Sequence, residues 1–262
     1  MNWQDAIVAM LPEHMLLAGI VWLILIEIAP HRAGASPSVA VVSVAAGAIA
    51  AAGLAWSGYS ATAFAGHILV TPATLFAKAI VIALAAPVLL LARDDFADDG
   101  QFQILLLASL YGASLMLTAA SFLTLFLGLE LMSLPVYALV LLAYRRPESA
   151  EAALKYLVLG GAATAMFLMG TSLLFGTSGS LALSAFAAAL GSSDLIAQAA
   201  VVLIILSFFL KAAIVPFHTW APDAYEGASI PVTAYMATVI KAGVLLAAVR
   251  LFAQAPLSPG MI

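Results

Sequence analysis

Cysteine is missing from all 262 residues. The chain therefore holds no disulfide, no Cys-ligated iron–sulfur cluster and no Cys zinc site. Charge is scarce as well: 8% of residues are Asp, Glu, Lys or Arg, against about 25% in ordinary soluble domains. Lys and Arg number nine and the net charge is −4, so nucleic-acid binding has no electrostatic footprint. The first residues, MNWQDAIVAMLPEHM, have no basic stretch ahead of an apolar core. No cleavable signal peptide is expected, and the first apolar run reads as a retained membrane helix. No HExxH, haem-ligand pair or nucleophile motif stands out, and Gly160–Gly161 lie inside an apolar run rather than a phosphate loop. His14, His31 and His67 stand singly at expected helix ends and suggest no metal site.

Apolar residues make up 65% of the chain, and the mean hydropathy is +1.15. A soluble chain of this length cannot hide so much apolar surface, so most of it faces lipid or other helices. A spanning helix needs about 20 largely apolar residues. Eight runs qualify, at roughly 13–30, 37–57, 70–92, 102–119, 121–143, 150–176, 195–222 and 230–252. The expected fold is an all-α membrane protein with eight transmembrane spans. Ala119–Ala120–Ser121 is all that separates the fourth span from the fifth. Small residues in AAGAIAAAG (Ala45–Gly53) and GGAATA (Gly160–Ala165) suit close helix packing.

Short cytoplasmic loops collect Lys and Arg. Arg32 follows span 1, Arg93 follows span 3 and Arg145–Arg146 follow span 5, whereas the loops after spans 2, 4 and 6 have no basic residue. The expected N-terminus is periplasmic, with odd-numbered exits cytoplasmic; Arg250 at the end of span 8 runs against the trend. The acids Asp94, Asp95, Asp98 and Asp99 share one of the cytoplasmic loops and read as solvated. Span 7 is interrupted: FFLKAAIVPFHTWAPDAYEG contains Pro216 and Pro222, each of which removes a backbone donor. A broken span at membrane depth is tolerated where it faces protein or water, and in transporters such breaks often lie beside the ion path.

Three charges fall inside spans: Glu130 in span 5, Lys211 in span 7 and Lys241 near the middle of span 8. Each costs roughly 2.5–3.5 kcal/mol at mid-helix on insertion scales, so three unpaired charges oppose assembly by roughly 8–10 kcal/mol. A Glu130–Lys ion pair that only fixes packing would offset this. So would a proton relay, since intramembrane ionisable groups commonly mark ion paths and burial and a nearby opposite charge act on protonation in opposite senses. Lys155, four residues after Glu151, supports a helix electrostatically or belongs to a proton path. Lys78 is expected to snorkel to the periplasmic interface, Glu27 to pair with Arg32, and Asp223 and Glu226 to be solvated in a loop. His218, beside Pro216, either satisfies freed backbone groups or passes protons.

Three stretches carry a resemblance: LFLGLELMSLPVYAL (Leu125–Leu139), SAEAALKYLVLGGAATAMFLMGTSLLFGTSGS (Ser149–Ser180) and FFLKAAIVPFHTWAPDAYEGASIPVTAYMATVIKAGV (Phe208–Val244). They resemble subunit N of bacterial respiratory complex I, the proton-translocating NADH–quinone oxidoreductase, over about residues 120 to 252. VPFHTWAPDAYEGA is the specific motif; the related L and M subunits and the Mrp-type antiporters read more like LPxAHTEAP there. The resemblance implies an antiporter-like fold of two inverted five-helix repeats behind leading helices: residues 1–100 as leading spans 1–3 and residues 101–262 as the first repeat, spans 4–8 with span 7 broken. The second repeat, with its span-12 lysine, is expected to be absent, since family members have about fourteen spans. Ser229–Ile230 also depart from a Pro-containing segment common in the family.

By the same resemblance Glu130, Lys211, Lys241 and Lys155 match the family's glutamate and lysines of spans 5, 7, 8 and 6, and His218 the histidine of the broken span. These five are the expected proton-translocation residues of a non-redox translocase subunit in the bacterial inner membrane. No cofactor is expected in the chain itself; NADH, FMN, Fe–S clusters and quinone belong to other parts of the complex. Other membrane subunits and the lipid bilayer are the expected partners, and nucleic acid is not one. The alternatives are a subunit of an Mrp-type cation/proton antiporter or membrane-bound hydrogenase, or a non-pumping scaffold. The topology is checked by cysteines at Ser60 and Ser149, which should label from opposite sides of the membrane; labelling of both from one side refutes it.

Overall fold

The computed structural model describes residues 3–28, 36–96, 99–142 and 147–253. Eight of its helices are long and apolar enough to cross a membrane: Leu11–Ile28, Pro37–Trp56, Pro72–Leu91, Gly100–Leu117, Phe122–Leu141, Pro147–Ser178, Leu195–Ala212 and Ile230–Phe252. They are spans 1 to 8 below. Seven agree with the hydropathy reading to within a few residues. Span 7 does not, because its helix stops at Ala212 and the chain turns before a short helix, Trp220–Gly227.

Local chemistry sets the starts. Thr71 and Thr74 exchange side-chain-to-backbone hydrogen bonds at 3.3 and 2.9 Å, a capping box ahead of span 3. The Ser121 hydroxyl accepts from Thr124 N at 3.2 Å, which fixes the tight junction between spans 4 and 5. Asp99 accepts from Gln101 N and Phe102 N at 3.0 and 3.2 Å, so this acid caps span 4 rather than being merely solvated. Asp194 does the same for span 7. Pro87 removes the donor that would bond the Ala83 carbonyl, and span 3 is correspondingly interrupted at Leu84.

Two features lie outside the eight-span reading. A seven-residue helix, Trp3–Ala9, precedes span 1. Strands Ala61–Ala63 (β1) and Ile68–Val70 (β2) pair antiparallel with Thr62 opposite Leu69. Phe64, Ala65 and Gly66, all with positive φ, turn the hairpin. His67 Nδ1 lies 2.8 Å from Ser121 Oγ and ties the hairpin to span 5. The hairpin thus marks one end of the bundle, and Arg93 lies at the other.

One buried apolar cluster runs from Leu16 in span 1 to Leu251 in span 8. Where backbones meet, glycine is required by space. A Cβ on Gly112 would stand 2.2 Å from Met132 N, and one on Gly128 would stand 2.8 Å from Met116 N, so spans 4 and 5 pack backbone on backbone. Gly170 meets the Ala200 carbonyl of span 7 in the same way. The two glycines of GGAATA part company: Gly160 faces the Tyr137 hydroxyl, while Gly161 has nothing within 4 Å.

Arg250, the exception to the charge pattern, donates to the carbonyls of Leu117 and Leu69 at the hairpin end. A local structural role therefore accounts for it. Arg32 and Arg145–Arg146 lie outside the described residues, and with Arg32 the expected Glu27–Arg32 pair; the Glu27 side chain packs against Gly100. Ser149 is buried and bonds the Gly227 carbonyl at 2.6 Å, which makes the neighbouring, exposed Glu148 the better labelling position. Packing yields a direct test. Gly112→Ala should destabilise the fold by roughly 1–3 kcal/mol or more, read by thermal or denaturant unfolding in detergent. Gly161→Ala, in the same kind of helix but facing open space, should be neutral or gain up to about 1 kcal/mol. Equal behaviour of the two would refute the close approach.

Candidate functional site: buried ion pairs beside a broken span

The Glu130 carboxylate lies one helical turn before Ser133 on span 5, and both meet Lys211 at the end of span 7. Lys211 Nζ is 3.3 Å from Glu130 Oε1 and 3.1 Å from Ser133 Oγ, to which it donates. The same Oε1 accepts from the Thr164 hydroxyl of span 6 at 2.5 Å. One carboxylate oxygen is thus shared by two donors from two helices, the hydroxyl close and the ammonium far. Side-chain exposure is 6% for Lys211 and 21% for Glu130, so the pair is buried on the lysine side and open on the other. A pair at 3.3 Å beside a competing donor is adjustable: a small rotation of the carboxylate strengthens one bond and weakens the other.

The break after Lys211 has its own chemistry. Ala213 takes the left-handed conformation, its N–H donating to Leu210 O and the Ile214 N–H to Phe209 O, which closes the helix. Leu210 O also accepts from the Trp220 indole at 2.9 Å. Trp220 stacks on Tyr156 at 4.7 Å, and Tyr156 meets Tyr137 edge-on at 4.7 Å. Trp220 thus adds a second donor to Leu210 O, whereas His218 is exposed and its ring makes no hydrogen bond among the described residues.

Lys241 begins the last part of span 8, just after a π-helical stretch, Met236–Ile240. Its Nζ sits 5.5 Å from the Tyr225 ring centroid, a cation–π distance. Among the described residues it makes no ion pair. Tyr225 also packs edge-on against Trp220 at 6.4 Å, so an aromatic series, Tyr137, Tyr156, Trp220 and Tyr225, runs from the span carrying Glu130 to Lys241.

Lys155 stands apart from this centre. It pairs with Glu151 at 2.7 Å and with Asp223 at 2.6 Å, all three well exposed. Asp223 is therefore a partner and not simply a solvated loop acid. With Glu148 and Glu226 these groups line a cavity of about 410 Å³. The structure brings Glu130 and Lys211 into contact, sets Lys241 one aromatic series away, and leaves Lys155 and His218 at the surface.

The expectation for Lys78 is overturned. Instead of snorkelling to an interface, Lys78 is fully buried and bonded to an equally buried Glu13 at 2.5 Å. Snorkelling needs a free path for the ammonium group, and span 1 closes it. A carboxylate inside the bundle makes burial tolerable, since breaking such a pair costs about 3–5 kcal/mol. Glu13 escaped sequence reading because it lies in the first turn of its span, where a charge is unremarkable; the signal was Lys78, mid-helix with no snorkelling room once span 1 packs beside it. Thr164 and Ser133 were hidden by being small residues in apolar runs.

A bundle of eight apolar helices, with buried carboxylate–lysine contacts beside a broken span, defines an antiporter-like membrane protein. Residues 119–261 match the family model described as NADH:quinone oxidoreductase/Mrp antiporter, TM, and the chain belongs to that family. It is 37% identical to NADH-quinone oxidoreductase subunit N of Pelobacter propionicus over 97% of this chain and 55% of that protein. Identity to subunit N of Geobacillus kaustophilus is also 37%, over 97% and 54%. In fold it is similar to a chain of respiratory complex I from Thermus thermophilus, with a TM-score of 0.78 and 30% identity over 91% of this chain and 52% of that one. A chain of the archaeal membrane-bound sulfane sulfur reductase gives 0.76, at 26% identity over 97% and 54%. The chain spans about half the length of these relatives.

Geometry makes the coupling measurable. Glu130→Gln and Lys211→Met should each destabilise the fold, and the double variant should fall short of their sum by roughly 0.5–3 kcal/mol, the range for residues in contact. Unfolding in detergent reads this out, and strict additivity would mean that the two groups act separately.

Proposed function

We propose that this chain serves as a subunit N-like, proton-translocating component of an NADH–quinone oxidoreductase in a bacterial inner membrane. The observation that carries the proposal is the shared Glu130 oxygen, with Thr164 at 2.5 Å and Lys211 at 3.3 Å, at the break in span 7. When Glu130 turns toward Thr164, Lys211 loses the charge that stabilises its ammonium form and releases a proton. That proton passes through intervening water toward Lys241, whose Nζ faces the Tyr225 ring and has no ion-pair partner among the described residues. Return of Glu130 reloads Lys211. On this reading Lys155, with Glu151 and Asp223, and the exposed His218 face the aqueous supply at the Arg93 end, which the charge pattern makes cytoplasmic and which sets the N-terminus on the periplasmic side.

The division into leading spans (1–100) and an antiporter-like repeat (101–262) belongs to this proposal. So do its partners, other membrane subunits of the complex. The chain itself would carry no redox cofactor: NADH, FMN, Fe–S clusters and quinone would be handled by other parts, and quinone reduction there would drive Glu130. Similarity to subunit N proteins and the VPFHTWAPDAYEGA motif favour this over an antiporter or hydrogenase role.

The test uses the assembled complex in inverted membranes. Lys211→Met and Lys241→Met should each lower the rate of proton transfer driven by NADH oxidation by roughly tenfold, equivalent to about 1.4 kcal/mol. Gly161→Ala should leave it unchanged. Unaltered proton transfer in both lysine variants would overturn the proposal.

A further inference from the structure

The Glu13–Lys78 contact lies outside the residues the family model matches and outside the Glu130 centre. Glu13 and Lys78 are each fully buried, on spans 1 and 3. Glu13 Oε1 accepts from Lys78 Nζ at 2.5 Å and from the Ser114 hydroxyl of span 4 at 2.6 Å. Glu13 Oε2 is buried with no hydrogen-bond partner among the described residues. An ionised carboxylate offers about four acceptor positions, and the large majority of buried polar atoms have a hydrogen-bond partner. Here one oxygen holds two donors and the other is uncommitted.

We propose that Glu13 and Lys78 form a second proton-binding site, at which Glu13 Oε2 takes up and releases one proton through water from the hairpin end. Uptake converts the net-neutral pair into a carboxylic acid beside the Lys78 ammonium, with one positive charge. The proton comes from hydronium, which leaves as water, and release reverses the step. The Lys78 and Ser114 bonds to Oε1 hold the group in place, so the O–H bond forms and breaks at Oε2.

The route follows from position. One turn toward the hairpin end, Met10 precedes Glu13 and Leu75 precedes Lys78. Both belong to a small apolar cluster with Ala6, Ala9, Ala63 and Ile68. The helix Trp3–Ala9 and the hairpin thus lie over the pair as a thin apolar cover. Tyr59 OH donates to Asp5 O at 3.2 Å across that cover. The other titratable groups within electrostatic reach are Tyr111 of span 4 and Arg250 of span 8.

The site also has a mechanical link to the Glu130 centre. Span 4 presents Ser114 to Glu13 on one face. On another, Ser109 donates to the Met132 carbonyl of span 5 at 2.7 Å and accepts from Tyr235 of span 8 at 3.0 Å. Ser133, beside Met132, holds Lys211.

Infrared difference spectroscopy across a pH titration, on the assembled complex in membranes, tests the site without depending on pumping. The expected result is a protonated-carboxyl C=O band that titrates, disappears in Glu13→Gln and changes frequency in Ser114→Ala. Because Glu13→Gln leaves the Lys78 charge unpaired, the charge-free double variant Glu13→Gln/Lys78→Met serves as a second measurement if the single variant fails to fold. Loss of the band there supports the proposal. Persistence of the band in either variant, or no titrating carboxyl band in the unsubstituted protein, overturns it.

Discussion

Removing an ammonium group from water costs several kcal/mol even after relaxation, and lipid supplies no polar group to recover it. Lys78 meets the constraint with a fully buried carboxylate 2.5 Å away. Lys211 meets it with a carboxylate at 3.3 Å and a hydroxyl at 3.1 Å. Lys241 has an aromatic face instead. These three solutions differ in tightness.

The same constraint acts on the backbone. Each N–H and C=O at membrane depth needs a partner, which is why helices span lipid and interruptions must be repaired. Span 7 ends at Ala212, where the Ala213 and Ile214 N–H groups bond Leu210 O and Phe209 O, and the indole of Trp220, eight residues after the helix ends, adds a second donor to Leu210 O. The motif WAPDAYEG therefore does more than break a helix. It supplies a further donor at the break and the tyrosine that faces Lys241.

Hydropathy and length made the spans legible, because twenty apolar residues in a row admit few other structures. Pro216 made the break in span 7 legible. Glu130, Lys211 and Lys241 stood out as charges in apolar runs, and Lys155 through its spacing from Glu151. What stayed hidden depends on contacts between distant parts of the chain. Glu13 looks like an ordinary first-turn acid until the Lys78 ammonium of span 3 reaches it. Thr164 looks like a packing residue until span 6 meets Glu130. The hairpin has strands of three residues, Ala-Thr-Ala and Ile-Leu-Val, too short for an alternating pattern to show. Asp99 and Asp194 sat in view, but their capping role needed the helix starts to be fixed.

The short helix Trp220–Gly227 is fastened to span 6 at three separate points. Trp220 stacks on Tyr156, Asp223 grips Lys155, and the Gly227 carbonyl takes the Ser149 hydroxyl. The short helix and the first turns of span 6 are thereby joined into one piece. Thr164 lies nine residues beyond Lys155 along that span, about 14 Å of helix. Span 6 is then a lever: its outer arm is gripped by the broken segment, and its inner arm ends in the hydroxyl that competes with Lys211 for one oxygen atom. A displacement at the aqueous end would reach the membrane interior as a lengthened or shortened hydrogen bond, without a proton having to travel that distance.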